Sequence, residues 1–93
     1  MANYYYIYDL EKVGKVDGNG DCWLLEKDGW HGGHKAFLAI NDRLNGFDDT
    51  EPPESPYRFG NSEVTSKIKV ITEEEAKKYA AAENILWPEK NIK

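Results

Sequence analysis

The sequence lacks a second cysteine, an apolar run long enough to cross a membrane, a basic stripe and any repeated unit, and each absence removes a class of protein. Cys22 stands alone, so no disulfide within the chain can staple the fold, and there is no Asn-X-Ser/Thr acceptor for a glycan. Both point to a reducing interior and to a cytoplasmic location. No apolar stretch approaches the roughly 18 residues of a spanning helix, so the expectation is no membrane partner. The opening Met-Ala-Asn-Tyr-Tyr-Tyr has neither the basic nor the apolar region of a secretory leader, which predicts a chain that begins near residue 1 and stays in solution. The twelve lysines and arginines are scattered among seventeen aspartates and glutamates, leaving a net charge of -5 that repels phosphate backbones. Direct nucleic-acid binding is therefore not expected. The absence of a repeat argues against a solenoid.

What is present suffices for one core. Ninety-three residues fit a single domain over 1–93, since a second core needs more chain. Three Trp, six Tyr and three Phe within a hydrophobic fraction of 40% supply its contents, despite a mean hydropathy of -0.76.

Residues 3–10 are rich in aromatic and β-branched side chains, which suit a pleated surface and predict a strand. Strand alternation puts Tyr5 and Ile7 on one side and Tyr4, Tyr6, Tyr8 and Leu10 on the other. Val13–Val16 and Cys22–Lys27 read as a hairpin around Asp17-Gly18-Asn19-Gly20-Asp21, whose glycines and short polar side chains favour a turn. The glycine-rich 28–33 stretch is read as a break, after which Phe37, Ile40 and Leu44 recur at helical spacing from His34 to Asn45, with Gly46 as the stop. Residues 46–61, with their acids, prolines and glycines, predict a long acidic surface loop. Alternation over 62–71 predicts a half-buried strand with Val64, Ser66, Ile68 and Val70 on one face. Thr72-Glu73-Glu74-Glu75 predicts a capping box at the start of a last helix that runs to about Trp87, before Pro88. The expected fold is thus α+β: a mixed or antiparallel sheet of three or four strands with two helices packed on it, in the order β-ββ-α-β-α. Its predicted core is Ile7, Leu24, Phe37, Ile40, Leu44, Ile68, Val70, Tyr79 and Leu86.

Several residue patterns bear on chemistry. Asp17, Asn19, Asp21 and Asp28 occupy positions 1, 3, 5 and 12 of a calcium loop, and the stretch resembles an EF-hand loop. Cys22 replaces the glycine that such a loop needs at position 6, and the flanks read as strands; a hairpin turn is the simpler reading. Gly20-Asp21-Cys22-Trp23-Leu24-Leu25 resembles the segment around the nucleophilic cysteine of calpain-type peptidases, which implies catalysis by Cys22 with a histidine. In that family the cysteine opens a helix of a far larger domain and its histidine lies much further along, whereas His31 and His34 follow here almost at once. A buried structural cysteine is the plainer reading. Cys22, His31 and His34 also comprise three zinc-type donors without a fourth of matching spacing. No cofactor or metal is expected.

Pro53-Glu54-Ser55-Pro56-Tyr57-Arg58 has the P-x-x-P-x-R spacing by which a polyproline II segment docks in aromatic grooves; the competing reading is a proline-stiffened loop. Asp48, Asp49, Glu51 and Glu54 gather with no basic residue between Arg43 and Arg58, so the loop is locally negative. Tyr4, Tyr6 and Tyr8 belong to a cluster that fits either a sheet face or a binding surface. With no catalytic constellation assembled, the leading expectation is an acidic protein-binding module, of the type of phage-encoded inhibitors, that docks on a basic surface of a larger bacterial defence protein. Its contact residues are Tyr4, Tyr6, Tyr8, Asp48, Asp49, Glu51, Glu54, Tyr57 and Arg58. The alternatives are a small Cys/His enzyme using Cys22 and a metal-binding module at Asp17–Asp28.

Overall fold

Tyrosine and isoleucine side chains on both faces of a short extended segment make it a natural inner strand, and Asn3–Ile7 (β1) is one. In the computed structural model, which describes residues 2–48, 50–56 and 58–88, β1 lies between Lys12–Val16 (β2) and Ile68–Ile71 (β5). Cys22–Glu26 (β3) and Gly29–Gly32 (β4) extend the sheet on the far side of β2. The order is β4-β3-β2-β1-β5 and every pairing is antiparallel. The remaining elements are the helices His34–Asn45 (α1), Ser62–Thr65 (α2) and Glu73–Ala82 (α3). The α+β class and the antiparallel option of the sequence reading match, with more strands and one more helix than expected. Among the described residues no helix is long and apolar enough to cross a membrane.

Because strand side chains alternate, both faces of the sheet are covered. Tyr5, Ile7, Cys22 and Leu24 pack against Ala36 and Ile40 of α1. Val13, Leu25, Trp30 and Ile71 pack against Ala76 and Ala80 of α3. The apolar material predicted as one core is thus divided between two faces of one sheet.

Four expectations are corrected. First, 28–33 does not simply break the chain: Gly29–Gly32 pairs with β3 across the two-residue turn at Lys27 and Asp28. Burying Trp30, only 1% exposed, outweighs the poor strand preference of its glycine neighbours. Second, 62–65 is a helical turn, because Asn61 accepts a hydrogen bond from the Glu63 amide and caps it, so the strand begins only at Ile68. Third, the capping box of Thr72 and Glu75 forms as read, but α3 ends at Ala82. The chain turns at Asn84, in the left-handed region (φ 59), and brings Trp87 back onto Tyr4 and Trp30, with ring centroids 5.7 and 5.4 Å apart.

The fourth correction concerns the core itself. Ile7, Leu24 and Ile40 are buried, and Ile68 and Tyr79 are half-buried, but Phe37, Leu44, Val70 and Leu86 are exposed. In α1 the inward residues are Ala36 and Ile40. The helix sits so close to the sheet at Gly14 that a Cβ there would lie 3.0 Å from Ile40 Cδ1, which leaves the small Ala36 facing the sheet while Phe37 turns outward. Val70 stands on the edge strand β5 and remains uncovered.

Candidate docking loop

The 46–61 segment is tied at its base by ladder-like hydrogen bonds. Gly60 N–H donates to Asn45 O at 2.9 Å, Asn61 N–H to Gly46 O at 3.0 Å, and Asp48 N–H to Arg58 O at 2.7 Å. Successive turns close its tip, with Glu51 N–H donating to Asp48 O, Ser55 N–H to Pro52 O and Arg58 N–H to Ser55 O. Proline and Asx chemistry make such turns cheap. Asp48 accepts from both the amide and the hydroxyl of Thr50. Those hydrogen bonds, the hydroxyl first, hold its carboxyl below the usual range, with Lys67 adding to the effect.

Arg58 joins the two halves of the loop. Its Nη1 donates to Glu51 O at 2.8 Å, and its guanidinium lies 4.8 Å from the centroid of the Phe47 ring. Phe47 in turn meets Phe59, at 5.2 Å between centroids. Phe59 is left 63% exposed, beside the exposed Pro53, Glu54 and Pro56.

The predicted contact residues therefore separate by role. Asp48 and Arg58 build the loop, Glu51 contributes its carbonyl to the clamp, and Glu54 faces solvent. Arg58 is engaged and Pro52 and Ser55 form a turn, which removes the P-x-x-P-x-R docking mode. Asp49 and Tyr57 lie outside the described residues. Tyr4 and Tyr6 are half-buried beneath α3: Tyr4 donates its hydroxyl to Glu73 at 3.1 Å, and Tyr6 stacks on Tyr79 with centroids 3.9 Å apart. Tyr8 is 46% exposed and is carried toward the loop, because its amide donates to Lys67 O at 2.7 Å and Lys67 lines a groove with Phe47, Asp48 and Thr50. Sequence reading missed Phe59, which has no periodic partner; its signal was an aromatic residue directly before Gly60 at the end of an acidic loop.

The alternative chemistries are not assembled in the same way. Asp17 spends its carboxylate on its own turn, accepting from the amides of Asn19 and Asp21 and from Trp23 Nε1. Asp28 pairs with His31 at the far end of β3, roughly 16 Å away by strand length, so the two acids cannot clasp one ion. Among the described residues no three His, Cys, Asp or Glu side chains converge as a cation site requires. Cys22 is buried, its thiol accepting from Asn41 Nδ2 at 3.4 Å. Burial raises its pKa, with the Asn41 hydrogen bond opposing and Asp17 and Asp21 reinforcing the rise, the reverse of nucleophile activation. A thiol reagent such as Ellman's is expected to leave Cys22 unmodified in buffer and to label it stoichiometrically in denaturant; fast labelling of the folded chain would restore the enzyme reading. Comparison with protein-family models, curated proteins and solved structures finds no match to this chain.

Proposed function

We propose that this chain is a protein-binding module that docks through the 46–61 loop on a partner with a basic surface. The supporting observation is Phe59, 63% exposed on a loop whose base and tip are both hydrogen-bonded. Exposing a large aromatic ring to water is unfavourable for an isolated domain, and a partner pocket recovers that loss. Because the loop is already ordered, binding avoids much of the entropy cost of fixing it. The surrounding acids accelerate encounter with a cationic surface and make it salt-sensitive. An inhibitor that blocks a basic groove of a larger bacterial protein is one form such a module takes.

Affinity capture from the native host tests this with matched variants. Wild-type chain is expected to retain a basic partner that elutes as salt rises. Phe59→Ala should weaken retention by about 30-fold, an anchor-sized loss of about 2 kcal/mol. Glu54→Lys should weaken it further at low salt. Undiminished capture by Phe59→Ala, with unchanged melting temperature, rejects the loop as the docking surface.

A further inference from the structure

The two edges of the sheet are not equivalent. On β5, Lys67 precedes the strand and Lys69 stands within it, and lysines on an edge discourage another strand from pairing there. On β4, Gly-Trp-His-Gly presents no lysine. Counting antiparallel pairs from the turn, Glu26 with Gly29 and Leu24 with His31, the N–H and C=O groups of Trp30 and Gly32 point away from β3. This edge is open to an extended segment.

Where β4 ends and the chain turns into α1, a notch of about 450 Å³ opens beside it. Trp23 and Phe37 form its walls, Cys22 its floor, and Asp21 stands on its rim. The Trp23 ring lies against Gly32 so closely that a Cβ there would sit 2.8 Å from its carbons. Trp23 Nε1 donates to Asp17 Oδ2 at 3.0 Å, which fixes the ring and places a second carboxylate beside Asp21. Phe37 is 49% exposed and its other neighbour is the parallel ring of His34, 6.5 Å away. Two aromatic faces beneath two carboxylates form a receptor for a long side chain with an apolar stem and a cationic head. The fold already uses this chemistry nearby, with Lys15 Nζ 4.4 Å from the Trp30 centroid and 5.8 Å from that of Trp23.

We propose that the β4 edge and its notch form a second docking site, which takes an extended basic segment of a protein by inserting one Lys or Arg side chain between Trp23 and Phe37 toward Asp21. The site goes beyond the loop reading and does not depend on it. The start of α1 borders the same notch, and its free amides would favour an anionic ligand instead; the two ligand classes give opposite results.

The test is a ¹H–¹⁵N NMR titration of the full chain with oligolysine, oligoarginine and oligoglutamate. Either basic peptide is expected to shift the Trp23 indole N–H and the Gly32 and Gly33 amides saturably. Asp21→Lys and Phe37→Ala should each weaken that binding by about tenfold or more, while Phe59→Ala leaves it unchanged. Both altered side chains are solvent-accessible, and should Phe37→Ala fail to fold, Asp21→Lys decides alone. Shifts confined to the 46–61 loop, equal or stronger shifts at the notch with oligoglutamate, or binding indifferent to Asp21→Lys overturn the proposal. Because the loop and the notch report on different amides, failure of one reading leaves the other intact.

Discussion

Trp30→Ala is expected to lower the unfolding free energy by about 4 kcal/mol, the usual range for emptying a large aromatic site in a core. Edge strands ordinarily keep one side wet, yet Trp30 on β4 is 1% exposed. Its ring is the meeting point of the α3-side core: Tyr4 lies 6.2 Å away and Trp87 5.4 Å, centroid to centroid, and Lys15 Nζ is 4.4 Å from its centroid. Truncation removes the apolar transfer term, deprives the Trp87 ring of one of its neighbours, and strips the aromatic face from a largely buried ammonium. The last loss compounds the first. Desolvation already lowers the Lys15 pKa, with Asp17 partly opposing it, so the charged form is disfavoured in the fold and depends on favourable contacts. Trp30→Phe keeps an aromatic face and should cost about half as much. Urea unfolding followed by far-ultraviolet circular dichroism measures both without relying on tryptophan emission. A loss below about 1 kcal/mol for Trp30→Ala, typical of a surface site, would mean that the α3-side core is organised around something else.

This dependence on one indole also explains where the sequence was legible. Local chemistry that closes within a few residues was readable. The capping box of Thr72 and Glu75, the Asp17 turn and the Gly46 stop all formed, because each satisfies backbone groups irrespective of distant packing. What could not be read was decided across the sheet. Which side of α1 turns inward depends on Gly14 lying opposite Ile40, and this rotates Phe37 and Leu44 out of a stripe that their spacing placed inside. Trp30 makes a strand of a glycine-rich segment only because α3 and Trp87 arrive to cover it. The alternation at 62–66 was overridden by a single side-chain cap, that of Asn61.

The candidate surfaces divide in the same manner. The acidity of the 48–54 stretch was visible as composition, but its internal architecture was not. Asp48 and Arg58 looked like contact residues because charge in a loop suggests a partner; their hydrogen bonds show them holding the loop instead. The outward ring, Phe59, was masked by having no pattern around it. The Trp23–Phe37 notch joins residues from β3 and α1 that only the fold brings together.

Gly46→Ala is expected to be nearly as damaging as the tryptophan truncation, for a different reason. Gly46 closes α1 in the left-handed region at φ 65. Its amide donates to Arg43 O at 3.2 Å and the Phe47 amide to Asp42 O at 2.7 Å, the paired bonds of a Schellman ending. A Cβ at this position would lie 2.5 Å from the Asn61 nitrogen and 2.9 Å from the Gly60 backbone, which rigid chain cannot relieve by a rotamer change. Strain at positive φ costs about 1 kcal/mol and forced displacement of packed backbone about 2 more, so a loss of about 3 kcal/mol is expected in urea unfolding. Gly60→Ala separates the two contributions: φ is 67 there too, but no atom lies within 4 Å of the added carbon, so only about 1 kcal/mol should be lost. Equal losses would show that backbone conformation, and not the close approach of 46 to 60–61, sets the cost. The displaced atoms are those that tie the loop base, where Gly60 donates to Asn45 O and Asn61 to Gly46 O. Gly46→Ala should therefore abolish capture of a partner bound through the loop while Phe59 is still in the chain, and Gly60→Ala should retain most of it. Full capture by a folded Gly46→Ala chain would separate docking from the loop's preformed shape.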